Sequence, residues 1–186
     1  FIIDGDLLSQ YLIKKNKFEI YKYLVLNHGL SINLNNNSGF YPIHIAAQRG
    51  YLNFVQLFYK FDENCINKKD LNYNLTPLFL SIIFNHSNIF DFFWKCKELN
   101  KNYIWITNKE SLTYLELITK LDRRNIFIYI TKNIDLKNKE LYLNCIKYNN
   151  LNFFKILNKK LNFEKIINDE IIEYSIEYYK KNIINK

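Results

Sequence analysis

Five stretches of the chain share one frame of polar and apolar positions. Glu19 to Leu24, Asn53 to Phe58, Asn88 to Phe93, Asn125 to Ile130 and Asn152 to Leu157 each read polar, apolar, apolar, variable, apolar, apolar. On a helix, positions i, i+1, i+3 and i+4 form one stripe, so each stretch predicts an amphipathic helix pressed onto its neighbours. A second helical stretch precedes each of them. These start at Leu7, at Tyr41-Pro42, at Thr76-Pro77, at Thr113 and at Glu140, at successive spacings of 34, 35, 37 and 27 residues. Pro42 and Pro77 suit a helix start, where a missing N–H costs little. Two helices per period of this length predict stacked repeats, because no single unit can bury its apolar face alone.

One segment is specific as well as periodic. Gly39 to Gly50 reads Gly-Phe-Tyr-Pro-Ile-His-Ile-Ala-Ala-Gln-Arg-Gly and is followed by Tyr51 to Phe58. It resembles the ankyrin repeat, whose signature is T-P-L-H-x-A-A, a glycine three residues later, then V-x-x-L-L. Pro42, Ile43, His44, Ala46, Ala47, Gly50, Val55 and Leu57 fall on that pattern, with Tyr41 in place of the usual Thr. His28 to Asn33 is similar to the end of a preceding repeat, and Gly39 stands where the hairpin glycine belongs. The resemblance implies an all-α ankyrin-repeat solenoid of stacked helix-turn-helix units with short or degenerate β-hairpin fingers. The units expected are 7–40, 41–75, 76–112, 113–139 and 140–168, with a terminal helix over 169–186, all in one domain.

The resemblance also implies roles for particular residues. His44 should hydrogen-bond between its hairpin and neighbouring backbone. The two residues after the Ala-Ala positions should face a concave groove: Lys14 and Lys15, Gln48 and Arg49, Ile83 and Phe84, Lys120 and Leu121, Lys147 and Tyr148. Phe40 and Tyr73, on the hairpins, are candidate aromatic anchors for a partner. Tyr103 to Ile106 is β-prone and suggests a lengthened finger, whereas the spacings after Thr113 suggest shortened hairpins. Asn35, Asn36 and Asn37 read as residues that tolerate left-handed turn geometry. The acidic start at Asp169 and the Lys180-Lys181 end would complement the dipole of a terminal helix.

Composition narrows the function classes. Only 4 Gly and 2 Pro are present, too few for an all-β fold with many tight turns, and 48% hydrophobic residues are too many for disorder. No apolar run approaches the ~20 residues that span a bilayer, so membrane insertion is not expected. Cys65, Cys96 and Cys145 are too far apart for a zinc or redox motif, and His28, His44 and His86 are equally scattered. No glycine-rich phosphate loop or nucleophile elbow occurs. The expectation is a chain that is not an enzyme, takes no metal, cofactor or small-molecule substrate, and keeps its cysteines reduced inside a cell, in the cytoplasm or an organelle. The chain opens at Phe1 and lacks Met, which suggests a piece of a longer product.

Charge adds a second candidate. The net charge is +8, from 26 Lys+Arg against 18 Asp+Glu, and the excess is spread along the chain. Only Arg49, Arg123 and Arg124 are arginines, the type best suited to bidentate phosphate contacts. The leading expectation is a non-catalytic scaffold or adaptor that binds a protein through the groove and fingers. RNA contact, as in a structural subunit of a large ribonucleoprotein such as an organellar ribosome, is the alternative. A third is the substrate-recruiting domain of a larger enzyme such as an acyltransferase.

Overall fold

A computed structural model describes residues 2–3, 6–106, 110–133 and 139–160. The expected terminal helix over 169–186 and the shortened hairpins around 134–138 and 161–168 lie outside the described residues. The chain divides into two compact units, Phe1–Tyr114 and Leu115–Lys186. The first unit opens with a two-residue antiparallel pair, β1 (Ile2–Ile3) and β2 (Asp6–Leu7). Three helix pairs follow: α1 (Leu8–Lys14) with α2 (Phe18–His28), α3 (Pro42–Arg49) with α4 (Leu52–Phe61), and α5 (Pro77–Ile83) with α6 (Ser87–Lys95). Inner helices α1, α3 and α5 pack side by side in that order, and outer helices α2, α4 and α6 do the same. The second unit carries α7 (Tyr114–Lys120) with α8 (Arg124–Asn133) and α9 (Lys139–Lys147) with α10 (Leu151–Lys160).

The five apolar stripes fall on the outer helices, and their positions divide by direction. Within each unit the first apolar position faces the preceding repeat and the second faces the following one. Tyr21, second in its stripe, meets Phe54, first in the next, with ring centroids 5.3 Å apart in an edge-on arrangement. In the second unit Phe127 and Phe153 repeat that relation, stacked at 3.8 Å. Phe54, Ile89 and Phe153 are accordingly buried, whereas Ile20, at the same position of α2, is exposed.

Each inner helix turns into its outer helix by one device. The residue before the outer helix donates its N–H to the carbonyl five positions earlier: Lys17 to Leu12 (2.8 Å), Tyr51 to Ala46 (3.0 Å), His86 to Ser81 (2.8 Å), Arg123 to Ile118 (3.0 Å) and Asn150 to Cys145 (2.8 Å). That bond closes only when the intervening residue is left-handed. Asn16, Gly50, Asn85, Asp122 and Asn149 hold φ values of +52°, +81°, +61°, +52° and +51°. Asn and Asp tolerate this region because a short polar side chain bonds locally. The scarcity of glycine therefore does not deprive the chain of tight turns: asparagine and aspartate make four of these five.

Glycine survives in this series only at Gly50, for a reason beyond φ. A Cβ there would lie 2.7 Å from Nδ1 and 2.8 Å from Cε1 of His86. The same imidazole bonds through Nε2 to the carbonyl of Gln48 at 2.9 Å, tying the third repeat to the end of α3. In the second unit Asn150 holds the matching place, donating from Nδ2 to the Thr119 carbonyl and Asp122 Oδ1, both at 3.1 Å. Substituting Gly50→Ala should lower stability by about 1–3 kcal/mol in urea unfolding. Adding His86→Ala should restore only the part due to collision, leaving the backbone strain. Asn85→Gly, free of both penalties, should not destabilise.

Candidate functional site

The fingers are joined to one another and to the helices by buried polar groups. His44, fully buried on α3, accepts the Tyr41 N–H on Nδ1 at 3.2 Å. Its Nε2 lies 3.0 Å from the Lys68 carbonyl and 3.1 Å from the Leu75 carbonyl, so the Nε2–H donates to both. The ring must be the neutral Nε2–H tautomer, since Nδ1 is an acceptor. Burial lowers its pKa to about 4, outweighing the Lys68 and Leu75 carbonyls and the Asp70 charge, which act in the opposite direction. His44 thus clamps the base of the second finger, in the role the resemblance implied.

The second finger is shaped by Asp70. Its Oδ1 accepts the N–H groups of Asn72 at 3.0 Å and Tyr73 at 2.8 Å, and its Oδ2 accepts that of Leu75 at 2.6 Å. Asn36 does similar work in the first finger, where Oδ1 accepts from Ser38 at 3.1 Å and Phe40 at 2.9 Å. This corrects the reading of Asn35 to Asn37. None of the three is left-handed; Gly39, at φ +73°, is, and Asn36 acts through its side chain. A Cβ on Gly39 would stand 3.0 Å from Leu71 Cβ, because the Leu71 N–H reaches the Gly39 carbonyl at 3.1 Å. The third finger contains β3 (Trp105–Ile106), paired antiparallel with β4 (Ser111–Leu112), so the β-prone run is one arm of a hairpin. Trp105 Nε1 donates to the Tyr73 carbonyl at 2.9 Å, and the Tyr103 hydroxyl to the Asn74 carbonyl at 2.7 Å.

The expected groove residues all stand at the C-terminal ends of inner helices. Lys14 and Lys15 end α1, Gln48 and Arg49 end α3, and Ile83 and Phe84 end α5. Since α1, α3 and α5 are adjacent, these pairs form a row in the first unit. Lys15, Arg49 and Phe84 are exposed, while Lys14, Gln48 and Ile83 are half-buried. In the second unit Lys120 ends α7 with Leu121 just after it, and Lys147 ends α9 with Tyr148 just after it. Lys147 is already engaged: its Nζ lies 2.5 Å from Glu116 Oε1 and 5.2 Å from the Tyr148 ring centre. Burial alone would lower its pKa, but the Glu116 carboxylate reverses that and raises it. The two finger anchors differ from each other. Tyr73 is exposed, whereas Phe40 is half-buried with its ring 6.0 Å from His44, which makes it part of the clamp more than a free anchor.

A paired helix layer, left-handed turns at a regular step and a histidine clamping the next finger are shared features of one repeat class. A sequence profile of that class, ankyrin repeats in three copies, matches residues 9–104. The chain belongs to the ankyrin-repeat family. No curated protein matches it. Ankyrin repeats are generally protein–protein interaction modules and typically non-catalytic. Burial pushes the thiols of Cys65 and Cys145 up to about 12 and raises that of Cys96, so none is a ready thiolate nucleophile. Among the described residues no cluster of His, Cys, Asp and Glu is arranged to hold a metal ion, and no helix is long and apolar enough to cross a membrane.

Four of the surface apolar residues that sequence reasoning missed lie on the fingers: Leu34, Leu71, Ile104 and Ile106. Leu34 and Leu71 belong to no periodic run, whereas Ile104 and Ile106 lie in the β-prone run that suggested a lengthened finger.

The clamp yields a pH prediction for this ankyrin-repeat chain. The folded pKa of His44 is depressed from 6.5 to about 4, so acid protonates the unfolded state first. The stabilisation is complete above pH 6.5 and is lost as pH falls towards 4, by about 3 kcal/mol at about 1.4 kcal/mol per pH unit. Urea midpoints measured across that window should fall steeply in the native chain, and His44→Gln should flatten the slope.

Proposed function

We propose that this chain is a non-catalytic adaptor whose first unit docks a protein partner along the row of inner-helix ends. Lys14, Lys15, Gln48, Arg49, Ile83 and Phe84 form the contact row, with Tyr73 on the second finger as a further aromatic contact and Phe40 backing the clamp. Lys120, Leu121, Lys147 and Tyr148 form the corresponding patch of the second unit. The observation that carries this reading is Phe84, a phenylalanine 45% exposed at a position filled by Lys15 and Arg49 in the two preceding repeats. An aromatic ring kept in water among cations is a common signature of a protein contact, since such rings supply much of an interface's energy.

The test compares proximity labelling by the native chain and by the Phe84→Glu and Ile83→Glu variants in cells. Loss of one or more labelled partners is expected, with purified complexes weakened about 30-fold for a contact of about 2 kcal/mol. Phe84→Glu should leave the unfolding midpoint within about 0.5 kcal/mol, as for other exposed sites. An unchanged partner set with both variants folded would overturn the groove assignment.

A further inference from the structure

The outer helix of the first repeat differs from the other four at one place. Seven residues after the opening polar position of the five stripes stand Leu26, Lys60, Lys95, Lys132 and Lys159. All four lysines are exposed, including Lys60 on α4, which has α2 on one side and α6 on the other. Stacked neighbours thus leave this position in water, and a lysine suits it near the C-terminal end of a helix. Leu26 stands there 58% exposed. Ile20, at 53%, and Tyr23, at 58%, precede it at steps of three, so the three share one side of α2. A contiguous apolar strip kept in water, where the other repeats place a charge, marks a contact surface.

The charge around the strip is one-sided. From residue 7 to residue 61, through α1 to α4, the chain carries five lysines and one arginine against a single carboxylate, Glu19. Lys15, Lys17, Lys22, Arg49 and Lys60 are exposed. Lys17 lies three residues before Ile20, and Lys22 lies four before Leu26, so both border the strip. Before this span Asp6 lies in β2; after it come Asp62, which is 3.8 Å from Lys68, and Glu63. Neither α1 nor α4, the helices packed on α2, contributes an acid.

We infer that the outer face of α2 rests on an anionic lipid bilayer. The 11-residue helix is too short to span a membrane and lies along its surface. Ile20 and Leu26 enter the boundary between headgroups and acyl chains. Tyr23 takes the interfacial place that amphipathic rings favour, and Lys17 and Lys22 meet headgroup phosphates. Glu19 opposes this attraction, but the lysines outnumber it. Aliphatic burial and basic charge act together here, as they do in other helices that lie on membranes. Single-stranded RNA would meet the same lysines, but it binds on exposed aromatic faces that stack bases. The strip offers one ring, Tyr23, and His28 already lies 5.3 Å from its centre. This face is separate from the inner-helix ends, and the inference does not depend on the adaptor reading.

The experiment is co-sedimentation of the whole chain with vesicles, either pure phosphatidylcholine or phosphatidylcholine with about 30% phosphatidylserine. Binding to the anionic vesicles alone is expected, weakening between about 50 mM and 500 mM salt. Leu26→Lys installs the residue that the other repeats carry and should lower partitioning about tenfold or more. The Lys17→Glu, Lys22→Glu pair should lower it at least as far, while Phe84→Glu leaves it unchanged. No sedimentation, or equal sedimentation with neutral vesicles, would overturn the inference. So would anionic binding indifferent to Leu26→Lys, which would reduce the contact to charge alone. Loss of binding with Phe84→Glu and not with Leu26→Lys would move the contact to the inner-helix ends and overturn it too. Tighter binding to poly(U) RNA than to anionic vesicles, untouched by Leu26→Lys, would decide for RNA instead. Circular dichroism melts of each variant separate these outcomes from misfolding, and Tyr23→Ser supplies a second probe of the strip.

Discussion

One backbone hydrogen bond shapes every helix pair among the described residues. It runs from the residue that precedes the outer helix to the carbonyl five positions back, and it forms at all five turns within 2.8–3.0 Å. Its geometry needs a left-handed residue in between and reverses the chain at once. The reversal lays the outer helix antiparallel on the inner one, which brings the apolar stripe onto the repeats on either side. The inner-helix ends reach the surface as a row for the same reason. At two turns, His86 and Asn150 extend the device by bonding to carbonyls of the preceding inner helix. Local turn closure and stacking of repeats are there a single feature.

Around that skeleton, the buried polar groups that shape the fingers are satisfied by backbone. His44 and Asp70 are nearly free of solvent contact, yet between them they bond to six backbone groups of the first and second fingers. A buried polar atom without a partner costs roughly 1–3 kcal/mol, so such residues fix the loop geometry firmly. This is why loops poor in regular structure can present defined surfaces. The fingers have only one short strand pair among their described residues, but side-chain clamps hold them as a sheet would.

The helices were legible in the sequence because their signal is repetition. The frame from Asn53 to Phe58 is weak by itself, but its recurrence on α2, α6, α8 and α10 is not. His44 was legible through its neighbours Pro42 and Ala46. Much of the turn chemistry was hidden, since Asn16, Asn85, Asp122 and Asn149 look like ordinary polar residues until φ is known. The engagement of Lys147 with Glu116, across 31 residues, was equally invisible. So was the exposure of Leu34, Leu71, Ile104 and Ile106. Loop aliphatics follow no period, and whether they are buried or exposed is decided by contacts distant in sequence.

The left-handed turns bear on how far such a fold can drift. The profile match ends at residue 104, yet Asp122 and Asn149 keep the same φ and the same closing bond beyond it. What persists there is a conformation, and any residue that tolerates it can stand in for the glycine of the motif. A lineage whose coding bias favours asparagine can therefore erase the family's letters while conserving its architecture, and resemblance measured by letters will fade well before shape does.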